Sequence, residues 1–140
     1  MNPIYTAEAL ATGGGRNGHV TTTDGRVDLA LAIPKPMGGS GEGANPEQLF
    51  AAGYAACFHS ALQAAAREQK VTIEGSSVGA QVHIGTLDGG AFGLAVTLEV
   101  VLPDVPEDTA RTLADRAHQI CPYSNATRGN IEVQVNVVED

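Results

Sequence analysis

The chain predicts an α+β fold of mainly antiparallel sheets. Three observations carry this. Strand-like segments cluster instead of alternating one-for-one with helices. Asp24-Gly25 and Asp88-Gly89-Gly90 each sit between alternating apolar runs, as hairpin turns do. One long Ala- and Gly-rich segment interrupts the strands with helical punctuation. The expected order is β-β-β-α-β-β-α-β, in one domain spanning 1–140.

Residues 4–12 read as the first strand, and the glycine-rich run Gly13 to Gly18 as a break carrying Arg16. Residues 19–23 and 26–33 form a hairpin around Asp24-Gly25. Residues 34–44 hold two prolines and four glycines and read as a mobile loop. Asn45 caps a helix with Pro46 at its first position and Glu47 in its first turn, running to about Gln69. Residues 71–85 alternate, with Val78, Ala80, Val82 and Ile84 on one face, and residues 92–102 return as the hairpin partner. A second helix spans Glu107 to about Ile120 and ends at Cys121-Pro122. Residues 131–138 alternate as the last strand.

Composition bounds the function. A net charge of −8 argues against nucleic acid or an anionic membrane as partner. The N-terminus lacks a basic region followed by an apolar one, so a cytoplasmic, reducing compartment is expected. The apolar stretch 49–66 carries His59, Ser60 and Gln63 and reads as a buried helix, not a membrane span. With no Trp and much Ala, Gly and Val, the core is built from small side chains. Such a core buries enough area most easily against a second copy, and a homodimer is expected.

The chemistry centres on two cysteines. Cys57 lies in the small-residue helix and is expected to be buried there; Cys121 opens a Cys-Pro turn. Two thiols and no others suggest a redox pair in which one attacks and the other resolves. Phe50, Gly53, Tyr54, Ala61 and Ala64 share the Cys57 face, giving an apolar surface with a notch at Gly53. A free cysteine in apolar surroundings is ordinarily a small hydrophobe with a raised pKa. To act as a nucleophile Cys57 needs a cation, for which Arg16 and Arg128 are the candidates. His59, about 200° around the helix, points away. His19, His59, His83 and His118 show no metal-ligand spacing, and no metal is expected. Gly13-x-Gly15-x-x-Gly18 formally matches a dinucleotide fingerprint but leads into β-branched residues instead of a helix, which excludes it.

The segment Asn45 to Leu62, the turn Gly15-Arg16-Asn17-Gly18 and the run Cys121 to Asn130 together resemble the organic hydroperoxide resistance (Ohr) proteins of the OsmC-like superfamily. The resemblance implies an intertwined homodimer whose sheets wrap central cysteine-bearing helices. It implies a peroxidase that reduces organic hydroperoxides, with no bound cofactor and a dihydrolipoyl dithiol, carried on a lipoylated partner protein, as reductant. It also assigns roles: Cys57 peroxidatic, Cys121 resolving, Arg16 stabilising the thiolate, Glu47 orienting Arg16. The apolar residues Phe50, Gly53 and Tyr54 then line the place of an alkyl chain. Two alternatives are an OsmC-type peroxidase of broader specificity and a redox sensor that oxidises once without turnover. Glu47 and Cys57 are ten residues apart, roughly 15 Å of rise on an unbroken helix. Either the helix breaks near Gly53 or Glu47 reaches the cysteine of a partner chain; sites shared between chains are expected.

Overall fold

The computed structural model describes residues 1–139. They fall into two compact units, residues 1–49 and residues from 50 onward.

In the first unit, β1 (Ala9–Thr12), β2 (His19–Thr22) and β3 (Asp28–Ala30) form an antiparallel sheet in that order. The first strand is shorter than the sequence suggests. Its ladder stops at Ala9 opposite Thr22, because the chain turns there. Asp24 builds that turn, its Oδ1 accepting from the Thr22 hydroxyl at 2.7 Å and the Arg26 amide at 3.0 Å. The segment 34–44, expected to be a mobile loop, closes on itself. The Gly39 amide bonds the Pro34 carbonyl at 3.2 Å and the Gly41 amide the Ile33 carbonyl at 3.0 Å.

Helix α1 (Pro46–Gln69) starts where expected, and its cap is reciprocal. The Asn45 side chain accepts from the Gln48 amide at 2.9 Å, and Gln48 accepts from the Asn45 amide at 3.1 Å. The helix is continuous through Gly53. It ends where Lys70 turns left-handed (φ 55°).

The second unit holds the main core. β4 (Ser77–Thr86) and β5 (Phe92–Val101) pair antiparallel along all ten residues. Residues 71–76, expected to begin β4, instead finish the helix and turn: the Val71 amide bonds the Ala66 carbonyl at 2.9 Å, and the Ser76 amide the Ile73 carbonyl at 3.2 Å. Helix α2 (Glu107–Ile120) is followed by a six-residue helix, α3 (Pro122–Thr127), that the sequence reading missed. Pro122 ends α2 and also opens α3, since proline is tolerated at a first helical position. The two helices form a crossover, and β6 (Val133–Val138) therefore pairs with β5 in parallel.

Tyr54, Phe58, Ala61, Leu62, Ala65 and Ala66 make a stripe on α1, at helical spacing. They share a core with Val96, Leu98 and Val100 of β5 and with Ala110, Leu113, Ala114 and Ala117 of α2. Each large side chain fully buried there stabilises the fold by roughly 1.5–3 kcal/mol. Among the described residues no helix is long and apolar enough to cross a membrane.

Candidate active site

Arg16 and Glu47 meet in the first unit. Arg16 sits on a 3-10 turn, Gly15–Asn17. The turn is held from both sides: the Asn17 side chain accepts from the Ile33 amide at 3.1 Å, and a Cβ at Gly18 would lie 2.0 Å from the Thr12 carbonyl oxygen, so only glycine fits. The guanidinium forks onto Glu47 in the first turn of α1, Nη1 donating to Oε2 at 2.8 Å and Nη2 to Oε1 at 2.6 Å. This is the bidentate geometry that fixes both planes. The Glu47 side chain is 13% exposed and that of Arg16 35%. The hydrogen bonds from Arg16 hold the Glu47 carboxyl below its ordinary range, against the opposing effect of burial. Those same bonds raise the guanidinium further. The fork leaves Arg16 permanently charged and oriented.

The two cysteines meet in the second unit. Their sulfurs lie 3.7 Å apart although 64 residues separate them in sequence. Both are free thiols. Cys57, expected to be buried, is half-buried, and Cys121 is fully buried. Cys57 falls at the edge of the α1 stripe, about 40° from Ala61 on the helical wheel, while Cys121 follows the buried Ala117 at the inner end of α2. Burial pushes the Cys57 thiol up; the Tyr123 backbone amide, which bonds the sulfur, pulls it down; the neighbouring Cys121 raises it again. The net direction is upward, so these groups alone leave Cys57 a weak nucleophile.

The face around Cys57 is aromatic. Phe50 meets Tyr54 and Tyr123 edge-on, each at 6.1 Å between ring centroids. The notch expected at Gly53 is filled: a Cβ there would lie 2.8 Å from the Tyr123 hydroxyl. Tyr54 is fully buried. Its hydroxyl bonds Ser124 Oγ at 2.9 Å and Thr127 Oγ1 at 3.0 Å. Ser124 in turn meets His118 Nδ1 at 2.8 Å. Burial, and then the Arg128 charge, lower the His118 pKa. Arg128, the other candidate cation, donates to the His118 carbonyl and, at 2.8 Å, to Asn125 Oδ1. It thereby caps α2.

Ser124, Thr127 and Tyr123 carried no role in the sequence reading. Their signal was a hydroxyl pair three residues apart just beyond a cysteine, too short a pattern to read alone. His59 bonds Ser76 at 3.0 Å, and His19 pairs with Asp28 at 2.6 Å. Among the described residues no three His, Cys, Asp or Glu side chains gather to hold a metal ion.

Residues 39–136 match the family of OsmC-like proteins. The organic hydroperoxide resistance protein of Xanthomonas axonopodis pv. citri is 48% identical over 136 residues, covering 96% of this chain and 94% of its own. The chain belongs to the organic hydroperoxide resistance family. Solved structures of other Ohr proteins share the fold. The one from Elizabethkingia anophelis superposes with a TM-score of 0.94 at 48% identity, over 100% of both chains. That of OhrB from Bacillus subtilis superposes with a TM-score of 0.88 at 42% identity, covering 97% of this chain and 100% of that one.

Proposed function

We propose that this Ohr protein is a thiol peroxidase that reduces organic hydroperoxides to alcohols, its whole length, 1–140, acting as one Ohr/OsmC-like domain in a cytoplasmic homodimer. The observation that carries the reading is the 3.7 Å approach of Cys57 to Cys121. A disulfide needs two sulfurs about 2.05 Å apart, so a small local shift closes the pair.

Cys57 is the peroxidatic thiol. It is the more exposed of the two and shares its helix with the half-buried Phe50 and Gly53; Tyr54, expected to line an alkyl site, is instead fully buried in the core. Its thiolate attacks one oxygen of the O–O bond. The bond breaks, the other oxygen leaves as alkoxide and is protonated to the alcohol, and the sulfur becomes a sulfenic acid. The Cys121 thiol then attacks that sulfur, forming the disulfide and releasing water. A dihydrolipoyl dithiol on a lipoylated protein restores both thiols by exchange and leaves as the lipoyl disulfide.

Arg16 supplies the cation that the Cys57 surroundings lack, lowering the thiol pKa and polarising the departing oxygen. Glu47 keeps the guanidinium oriented. The continuity of α1 through Gly53 supports a site shared between chains, in which the fork of one chain serves Cys57 of a second copy. The exposed apolar side chains of Ile4, Tyr5 and Leu10 support such a dimer.

Steady-state turnover decides the function. Alkyl, fatty-acid and hydrogen peroxides are each supplied with dihydrolipoamide or with glutathione. Rapid turnover of the organic peroxides with dihydrolipoamide is expected, with hydrogen peroxide poorly used. A single stoichiometric oxidation without turnover would make the protein a sensor; equal use of all peroxides and both reductants would place it with the broader OsmC-type enzymes.

A further inference from the structure

Two contacts join α1 to the segment that begins at Cys121, and they are spaced alike. Tyr54 precedes Cys57 by three residues, and Cys121 precedes Ser124 by three. One rung is the thiol pair at 3.7 Å and the other is the hydroxyl pair at 2.9 Å. Tyr54, Ser124 and Thr127 are all buried, in a core that is otherwise apolar. Each hydroxyl has a single proton, which orders the chain. Thr127 donates to the Ser124 carbonyl at 3.2 Å, so the Tyr54 hydroxyl donates to Thr127. Ser124 then donates to Tyr54, and His118 Nδ1–H donates to Ser124. Every proton in the run has an acceptor only while α3 keeps its place against Tyr54. Apolar side chains of the same shape would fill the space without that directional demand.

We propose that Tyr54, Ser124 and Thr127 are positioning residues for the second thiol: their hydroxyl chain pins α3 to α1 and so sets the effective concentration of Cys121 at Cys57. The proposal rests on the reading of these cysteines as a redox pair. With the Ser124 rung fixed, closing the disulfide requires movement only in the turn at Cys121, three residues away. Without that rung the turn and α3 share the freedom, and the thiol samples positions that are no use to it.

The test is equilibrium with glutathione buffers. One glutathione disulfide oxidises the protein dithiol to the Cys57–Cys121 disulfide, and two glutathione thiols are released, taking both protons. Wild type, Ser124→Ala, Thr127→Val and Thr127→Ser are compared, with the melting temperature of each recorded. Ser124→Ala and Thr127→Val are expected to lower the equilibrium constant about tenfold, raising the reduction potential by about 30 mV. Thr127→Ser, which keeps the hydroxyl, restores the wild-type value. Unchanged potentials alongside lowered melting temperatures would reduce the network to packing and overturn the proposal. If Ser124→Ala does not fold, the Thr127 pair decides by the same criterion. Failure of the wild type to form the disulfide in any buffer would overturn the redox-pair reading itself, a result distinct from a wild-type disulfide that the variants leave unmoved.

Discussion

Replacing Tyr54 by Phe removes one oxygen and tests the buried network as a source of stability. The ring stays, so its packing on Phe50 and Tyr123 is kept. Two hydrogen bonds go, at 2.9 and 3.0 Å, from a fully buried hydroxyl. Neither partner is wholly stranded. Ser124 still accepts from His118, and Thr127 still donates to the Ser124 carbonyl. The loss is therefore two bonds at about 1 kcal/mol each, about 2 kcal/mol in all. For a chain of this length that lowers the melting temperature by roughly 6–8 °C. Urea unfolding at fixed protein concentration measures it, because the apparent stability of the proposed homodimer would depend on concentration. The midpoint should fall with the slope unchanged. A double-mutant cycle with Ser124→Ala should show a coupling of about 1 kcal/mol. A loss below about 0.5 kcal/mol, or additive single effects, would refute the view that these hydroxyls act as a connected unit.

Cys57→Ser should abolish turnover, whereas Cys121→Ser should consume one equivalent of peroxide to leave a sulfenic acid on Cys57 and a second to take it to the sulfinic acid; mass spectrometry after one and after two equivalents reads the two steps, and oxidation gathering on Cys121 in Cys57→Ser would reverse the roles. Arg16→Ala should raise the Cys57 pKa by a unit or more, about 1.4 kcal/mol, and slow the peroxide step at least tenfold. Thiolate absorbance against pH checks this, and an unchanged titration would remove Arg16 from the site. Glu47 has a lowered folded pKa, so its ion pair stabilises the fold above the unfolded carboxyl value of about 4.3 and loses that contribution as pH falls through the folded value. Glu47→Gln should accordingly be less stable than wild type at neutral pH and converge with it in acid; parallel stability curves would count against the pair. A mixed dimer of Cys57→Ser and Glu47→Ala chains should keep about half the wild-type activity if sites are shared, since one site then stays intact. Activity at the level of the mutant homodimers would defeat that arrangement.

Much of the scaffold was local and therefore legible. Asn45, Pro46 and Glu47 mark the start of α1 because capping is settled within one turn. The alternation of Val78, Ala80, Val82 and Ile84 identified β4, because a strand with one buried face repeats every two residues. Arg16, Glu47 and the two cysteines were readable as motif positions. What the sequence left open was non-local. The 3.7 Å between Cys57 and Cys121 depends on how α2 and α3 return to α1, and no spacing along the chain encodes that. Cys57, expected to be buried, came out half-buried, since the edge of a helical stripe is buried or open according to what packs beside it. The short helix α3 escaped notice because a proline that ends one helix can open the next. The Gly53 notch looked vacant along α1 alone, and Tyr123, 70 residues onward, occupies it. Residue types and short periods determined most of the elements and which side chains are candidates for chemistry. Tertiary packing decided which of those side chains meet, because contact, burial and hydrogen-bond direction arise only between elements.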